Sequence, residues 1–272
     1  MKFKVSNIEK CFGMSPNGIR LYEKYGIIKP KREINSNYRV FGREESFSLS
    51  RGMQYRNLGF TMKETADILT RDLKEQLFSL KKRNSTLIDE IKYMQYLQNF
   101  QQRQIQRISN ITEKYNVCEI IDVSEMYFVK SYEIKEDRIN EKNIPIIRNW
   151  TQKYVPFAAP AFMYLKKLFE KSQYDMNMIV YGAVIEKEYA EFFDIPINEN
   201  ISIFPSGTCL QTIVKYSVSD YYELENLSHV VDYIRTNGLK ISGDACSRFI
   251  IGEKVNKNYY RYDMLWVPVQ LK

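Results

Sequence analysis

The feature that most restricts the fold of this chain is residues 73–115, which contain neither glycine nor proline. Apolar residues recur there at alternating spacings of three and four, the heptad pattern of a coiled coil. One seam position falls on Leu73, Leu80, Leu87, Met94, Gln101 and Ile108, and the other on Leu77, Asn84, Ile91, Gln98, Ile105 and Thr112. We expect a long helix that pairs with a second copy through Leu77, Leu80, Leu87, Ile91, Met94, Ile105 and Ile108. The alternative is one long helix packed on its own domain.

The balance of basic and acidic residues in the 272-residue chain changes at both ends of residues 73–115. Residues 1–72 hold 14 Lys and Arg against 8 Asp and Glu, and residues 73–115 hold 8 against 4. Residues 116–272 hold 18 against 21. A basic N-terminal part suits a polyanion, whose phosphates give affinity that is independent of sequence. We therefore expect three domains, at 1–72, 73–115 and 116–272, with nucleic acid bound by the first.

Residues 15–30 have the signals of a short helix that can enter a DNA groove. Ser15 can cap its start, Pro16 suits the first helical position, and Gly26 can end it in the left-handed conformation. Capping-box patterns at residues 6–9 and 61–64 predict two further helix starts. A short helix with polar and basic side chains near its N-terminus can lie in a major groove. The side chains that it would present are Asn17, Arg20, Tyr22 and Lys24.

Residues 3–72 resemble the N-terminal domain of the MerR family of bacterial transcription regulators. The motifs that match are residues 15–30, Asn37-Tyr38-Arg39 and the run Arg56-Asn57-Leu58-Gly59-Phe60-Thr61. The resemblance implies a winged helix-turn-helix whose recognition helix reads DNA and whose wing clamps the DNA backbone. The candidate DNA contacts are Ser15, Asn17, Arg20, Tyr22, Lys24, Tyr38, Arg39, Arg56 and Lys63.

Two residues depart from that family pattern. Gly18 replaces a hydroxyl residue, which removes one expected phosphate contact. Asn37 replaces a glycine, but asparagine tolerates the left-handed conformation better than most residues, so we expect the turn of the wing to persist.

From Val117 onward the pattern changes to strands and helices. We predict strands at 126–134, 178–188 and 202–217, a helical region at 146–171 that is broken near Pro156 and Pro160, a helix at 221–237, and a final hairpin from 247–253 and 259–269. The order β-α-β-β-α-β-β suggests two similar halves. Pro205-Ser206-Gly207, Asn237-Gly238 and Leu265-Trp266-Val267-Pro268-Val269 resemble the GyrI-like effector domain that follows MerR heads in multidrug-responsive regulators.

The fold class expected for the whole chain is therefore α+β. It combines an N-terminal winged helix-turn-helix, a long coiled-coil dimerisation helix and a C-terminal GyrI-like α+β effector domain of two β-α-β-type halves.

The last predicted strand has an aromatic face. Strand alternation puts Tyr260, Tyr262, Met264 and Trp266 on one side, which suits a planar hydrophobic or cationic ligand; an ordinary core face is the alternative. The resemblance adds Phe204 to the candidate pocket, and Tyr164 and Tyr181 complete the set. It also implies a glutamate at position 264, where this chain has Met264. Asp263 is adjacent but should face the other way. Other carboxylates, such as Glu119, Glu133 or Glu186, could replace the glutamate.

The residue inventory argues against other chemistry. Cys11, Cys118, Cys209 and Cys246 are scattered and the only histidine is His229, so we expect no metal site and no cofactor. Catalysis needs a nucleophile with a tuned base, and His229 has no flanking motif. No signal peptide or membrane-spanning run is visible, which predicts a cytoplasmic protein with no membrane partner.

The function expected from these features is that of a homodimeric transcription regulator that binds double-stranded promoter DNA. Regulators of the family that the chain resembles act with RNA polymerase at a promoter whose spacer is too long, distorting the DNA when an effector binds. We therefore expect an activator controlled by a small organic effector. Two alternatives stay open: a constitutive regulator whose C-terminal domain serves dimerisation or a protein partner, and an enzyme.

Overall fold

A computed structural model describes residues 3–34, 36–133, 138–170, 178–217 and 227–271. The chain forms two compact units, Met1–Leu97 and Gln98–Lys272. The α+β class expected from the sequence is confirmed, with a helical N-terminal domain, a long helix and a large antiparallel sheet.

The first unit has the predicted order of a winged helix-turn-helix. Its core contains Ile8, Ile19, Phe41 and Leu49, all at most 1% exposed. The elements are α1 (Val5–Phe12), α2 (Pro16–Lys24), β1 (Lys31–Arg32), β2 (Arg39–Val40), α3 (Arg43–Asn57) and α4 (Met62–Ile68). Strands β1 and β2 pair antiparallel and form the wing.

Most of the helix ends in this unit lie where local chemistry predicts them. The Ser15 hydroxyl accepts a hydrogen bond from the Gly18 amide at 3.1 Å, and Gly26 has a left-handed φ of +73°. At Thr61 and Glu64 both bonds of the capping box form. The box predicted at residues 6–9 is wrong: α1 begins at Val5, and the Asn7 side chain accepts from the Lys4 amide instead.

The long helix predicted from the heptads is α5 (Leu73–Ser109), which contributes residues to both units. A short helix α6 (Ile111–Lys114) follows, so Thr112 lies outside α5. In the single chain the seam is largely solvent-exposed: Leu77 is 53% exposed, Ile91 49%, Met94 61% and Ile105 57%. Leu80 is the exception because it packs against Tyr55, Phe60 and Ile68 of the first unit.

The second unit is built on one antiparallel sheet. Its strands are β3 (Glu119–Val123), β4 (Met126–Glu133), β5 (Arg138–Ile139), β6 (Ala159–Tyr164), β7 (Ile179–Glu186), β8 (Ile201–Phe204), β9 (Gly207–Ser217), β10 (Leu239–Ile241), β11 (Ala245–Val255) and β12 (Asn258–Leu271). Its helices are α7 (Ile144–Lys153), α8 (Lys167–Glu170), α9 (Lys187–Phe192) and α10 (Ser228–Thr236).

The strand order is β3-β9-β12-β11-β6-β7-β4-β5, with β10 also paired to β12 and β8 to β4. β12 lies between β9 and β11, and its residue Met264 stands opposite Ile213 on one side and Arg248 on the other. The predicted final hairpin is β11 and β12, joined at the left-handed residues Asn256 and Lys257.

Two of the predicted elements in this unit need correction. The helical region predicted at 146–171 is broken near Pro156 and Pro160 as expected, since α7 ends at Lys153 and α8 covers Lys167–Glu170. The correction is that residues 159–164 between them form strand β6. The strand predicted at 202–217 is two strands, β8 and β9, separated at Pro205. Of the helix predicted at 221–237, residues 221–226 lie outside the described chain; α10 covers Ser228–Thr236 and ends before Gly238, whose φ is +61°.

The two faces of the sheet cover different cores, because alternate residues of each strand point to opposite sides. One face buries Phe162, Tyr164, Tyr216, Leu265 and Val267. The other face buries a second set of side chains, among them Met126, Phe204, Ile213, Met264 and Trp266. On β12, for example, Met264 and Trp266 alternate with Leu265 and Val267.

Candidate functional site

Helix α2 presents a polar and basic surface. Asn17, Arg20 and Lys24 are exposed, and the Arg20 guanidinium donates to the Asn17 side-chain oxygen at 3.1 Å. Ser15 is exposed, and its oxygen accepts the capping bond. This helix can offer Arg20 and Asn17 together to a DNA groove, since the bond between them orients both side chains.

Tyr22 differs from its neighbours on α2. It is 7% exposed and packs in the core of the first unit. Burial raises the pKa of its hydroxyl. The assignment of Tyr22 to DNA stays a prediction, and the burial of the ring leaves little of it to reach a phosphate.

The wing holds two of the predicted contacts on a well-defined turn. Asn37 has a φ of +55°, so it keeps the left-handed turn expected at that position. Tyr38 is 72% exposed. The Arg39 Nε atom pairs with the Glu23 carboxylate on α2 at 3.1 Å, which ties the wing to the helix.

The remaining predicted contacts lie near the turn between α3 and α4. Arg56 is exposed, and one of its guanidinium nitrogens donates to the Phe60 carbonyl oxygen. Lys63 is exposed in the first turn of α4. The structure adds Lys31 and Arg32 as candidates, both exposed on β1. The sequence signal for them is the basic run Lys29-Pro30-Lys31-Arg32.

The second unit contains a cavity of about 690 Å³ beneath α7, within the range of small-molecule sites. Helix α7 gives it one face, because Ile144, Ile147, Arg148 and Thr151 follow the spacing of a single helical stripe. The other described lining residues come from the sheet and its connections: Ser131, Tyr132, Ile139, Asn140, Phe162 and Tyr181.

Of the residues predicted to bind a ligand, Tyr181 lines this cavity. Tyr164 lies on the same face of the sheet, where its buried hydroxyl is 2.7 Å from that of Tyr216. Burial raises the pKa of Tyr164.

The other predicted ligand residues belong to the opposite face. Phe204, Met264 and Trp266 are buried together there, and Tyr262 packs against them. Tyr260 stacks with Lys215, whose Nζ is 4.4 Å from the ring centroid. Trp266 Nε1 donates to the Gln211 side chain at 2.9 Å. The predicted set is therefore divided between two sides of the sheet, and its assignment to one pocket stays a prediction.

A buried ion pair lies behind the cavity wall. Arg261 donates to the two carboxylate oxygens of Asp263 at 2.7 Å each, and the Ser247 hydroxyl donates to one of them at 2.8 Å. Burial alone would lower the pKa of Arg261, but the Asp263 carboxylate raises it. The Arg261 guanidinium lies 4.8 Å from the ring centroid of Phe162. As expected from alternation, Asp263 faces away from Met264.

A second charged cluster joins α5 to the sheet within the second unit. Glu186, at the end of β7, pairs with Arg103 at 3.2 Å, Arg107 at 3.3 Å and the buried Arg248 at 3.4 Å. Burial would raise the pKa of Glu186, but the three guanidinium groups hold it below its usual range. This cluster could not be predicted from sequence, since its members are far apart along the chain.

Comparison with known proteins identifies the family of the N-terminal domain, which lies within the first unit. Residues 3–72 match the family described as MerR HTH family regulatory protein.

Residues 3–72 are a MerR-family helix-turn-helix domain.

The curated relatives matched by this MerR-type domain are transcription regulators rather than enzymes. Heavy metal-dependent transcription regulator 1 of Rhizobium meliloti is 37% identical over 57 residues, which are 21% of this chain and 39% of that protein. The regulator CueR of Escherichia coli O6:H1 is 26% identical over 89 residues, 32% of this chain and 66% of that protein. The match thus leaves a third or more of each relative uncovered.

Solved structures similar to the chain include the EcmrR–DNA complex in EcmrR-RPo, at a TM-score of 0.39 and 16% identity, covering 99% of this chain and 100% of that one. A hydrolase from Listeria innocua, encoded by lin2189, has a TM-score of 0.36 and 12% identity over 61% of this chain and 97% of its own. Both scores are too low to bear on the chemistry of the second unit.

Outside the MerR-type domain, His229 has a structural role. Its Nε2 atom is 3.2 Å from the Thr212 hydroxyl, and burial lowers its pKa. In the part of the chain that the structure describes, no three His, Cys, Asp or Glu side chains are grouped to hold a metal ion. None of the described helices is long and apolar enough to cross a membrane.

Proposed function

We propose that this protein is a dimeric, DNA-binding transcription regulator that is controlled by a small organic molecule. The observation that supports DNA binding is the exposed basic surface of a MerR-type domain, formed by α2 and the wing. Arg20 and Lys24 lie on the exposed side of α2, and Tyr38 projects from the wing. In this proposal α2 lies in the major groove and the wing contacts phosphates.

Dimerisation is proposed from the exposed seam of α5. Leu77, Leu87, Ile91, Met94 and Ile105 are each at least 42% exposed in the single chain. A second copy of α5 would cover this apolar stripe and place two DNA-binding domains on one two-fold symmetric site. The proposed domains remain 1–72, 73–115 and 116–272.

Control by a ligand is proposed from the cavity beneath α7 and from the resemblance of residues 116–272 to GyrI-like effector domains. An effector in this cavity would change the distortion of promoter DNA and so its use by RNA polymerase, making the protein an activator in the cytoplasm. The cavity is lined mainly by apolar and aromatic side chains, as small-molecule sites usually are.

A constitutive regulator is the second candidate, because Tyr164, Met264 and Trp266 are packed within cores rather than lining the α7 cavity. In that case the second unit would serve dimerisation or a protein partner. The two candidates differ in one respect: only the first predicts that a small molecule changes DNA binding or transcription.

The test is selection of DNA sites from random duplexes, followed by equilibrium binding of the selected site. Wild-type protein should enrich a two-fold symmetric sequence. Arg20→Ala should weaken binding to it by about 1–3 kcal/mol if Arg20 reads a base. Arg235→Ala, an equal charge change at an exposed position on α10, should bind as the wild type does. Failure to enrich any sequence would contradict the proposal.

A further inference from the structure

The α7 cavity has one charged side chain among its described lining residues, and it is a cation. Arg148 extends from the stripe of α7 formed with Ile144, Ile147 and Thr151. It is exposed, and within the described chain its guanidinium makes no hydrogen bond or ion pair. A guanidinium beside an apolar cavity can accept a carboxylate or sulfonate through two parallel hydrogen bonds.

A described carboxylate behind the aromatic wall, that of Asp263, is already paired with a cation of the chain. Asp263 is fully buried and takes two hydrogen bonds from Arg261 and one from Ser247. Arg261 in turn stacks on Phe162, which lines the cavity, and on Phe249, 5.2 Å from its ring centroid. The Asp263 carboxylate is thus buried and already paired with a cation of the chain, so it is not available to pair with a cationic ligand.

We propose that the α7 cavity binds an aromatic anion, whose rings pack on Phe162, Tyr181 and Ile147 and whose acidic group pairs with Arg148. This inference rests on the ligand-controlled regulator proposed above and names the chemical class of its effector. The Asn140 side-chain amide at the same wall can donate a further hydrogen bond to the acidic group. The hydroxyls of Ser131 and Thr151 already donate to the carbonyl oxygens of Tyr181 and Ile147.

The test compares two dyes that share one ring framework, anilinonaphthalene sulfonate and uncharged phenylnaphthylamine. Dissociation constants are measured by fluorescence for wild type, Arg148→Gln and Lys153→Gln. Lys153 is an exposed cation on the same helix and is not among the residues that line the cavity. It therefore controls for the change in net charge. Both positions are at the surface, so the variants should fold.

Arg148→Gln should weaken the sulfonate dye by about three- to tenfold, as expected for one charge-assisted contact that is partly open to water. It should leave the uncharged dye unchanged, and Lys153→Gln should change neither. A third probe, tetraphenylphosphonium, should displace the sulfonate dye less effectively than its isosteric anion tetraphenylborate.

The inference is overturned if Arg148→Gln affects both dyes alike, if Lys153→Gln weakens the sulfonate dye equally, or if the phosphonium competes better than the borate. In those cases a ligand still binds and the proposed function stands. If neither dye binds the wild type, ligand control and this inference both fail. DNA binding, measured separately, would then decide whether the protein is a constitutive regulator.

Discussion

At the scale of single residues, Glu186 shows how one charge can hold distant elements together. It stands at the end of β7, and its three arginine partners come from α5 and β11. Arg248 is 1% exposed, and its pKa is lowered to about 10 by burial, against the opposing effect of Glu186. Glu186 is therefore the counter-charge that offsets the free-energy cost of burying the Arg248 guanidinium.

We predict that Glu186→Gln destabilises the protein by about 3–5 kcal/mol, because it leaves the buried Arg248 guanidinium without its carboxylate. The free energy of unfolding, from urea titration at neutral pH, checks this. Glu188→Gln is the matched control: its carboxylate also pairs with Arg103 but is about half exposed, so its loss should cost little. Equal stability of wild type and Glu186→Gln would contradict the prediction.

The same residue predicts a pH dependence. The pKa of Glu186 in the folded state is below its value in the unfolded chain, which is about 4.3. Its contribution to stability is therefore fully present above that pH and is lost as the pH falls through the lowered folded-state pKa. Urea titrations between neutral and acidic pH should show a smaller loss of stability in Glu186→Gln than in the wild type.

Gly182 is required by close packing rather than by its backbone angles. A Cβ atom there would lie 2.1 Å from the Val129 carbonyl oxygen, on the neighbouring strand β4. Gly182→Ala must therefore push β4 and β7 apart next to Tyr181, and we expect a loss of at least about 3 kcal/mol in unfolding free energy. Gly243→Ala is the matched control, because its Cβ would meet atoms of Pro268 only at the ordinary contact distance of 3.7 Å and its φ is not left-handed. An unchanged urea midpoint for Gly182→Ala would show that the strands can adjust.

At the scale of elements, α5 has two kinds of surface. Phe100, Arg103 and Arg107 face the second unit. The ring of Phe100 contacts that of Phe157 edge to face, with the two ring centroids 5.4 Å apart. The heptad seam lies on other positions and, apart from Leu80, is exposed. The two surfaces explain why a helix that already packs within its own chain can keep an apolar stripe for a second copy.

We predict that Ile91→Lys raises the dimer dissociation constant by at least about tenfold, because it places a charge in the apolar seam of both copies. Ser85→Lys makes the same charge change off the seam and should leave the dimer intact. Sedimentation equilibrium measures both. If Ile91→Lys assembles as the wild type does, the seam is not the dimer interface.

The elements that could be predicted from the sequence are those whose structure is determined by a few neighbouring residues. The capping box at Thr61, the stop at Gly26 and the turn at Asn37 are each set by a few neighbouring residues, and each was confirmed. Alternation also predicted correctly that Asp263 faces away from Met264. Strand β6 was missed because prolines within an apolar run do not show which structure replaces the helix.

The candidate cavity could not be predicted for a different reason. Its lining comes from α7 and from strands separated by up to some fifty residues, so only the fold brings Arg148, Phe162 and Tyr181 together. The aromatic face of β12 is real, but periodicity does not distinguish a packed face from an open one. The Glu186 cluster is likewise a product of tertiary structure.

At the scale of the whole molecule, the proposal joins a MerR-type DNA-binding domain, a long helix with an exposed seam and a sheet domain with a small-molecule cavity. Binding of an effector can change DNA recognition only if its affinity differs between the protein's conformations. We therefore expect the two effects to be reciprocal. Binding of DNA should change the affinity of the protein for an effector by the same factor by which the effector changes its affinity for DNA.

A nuclease footprint of the full chain on the DNA upstream of its own gene tests directly whether the protein is a dimeric DNA-binding regulator. We expect a protected, two-fold symmetric site that Arg39→Ala loses or binds with a weaker dependence on salt, because one phosphate contact is removed. Protection without symmetry would contradict the dimer. No protected site at any protein concentration that leaves random DNA unbound would contradict the assignment as a DNA-binding regulator.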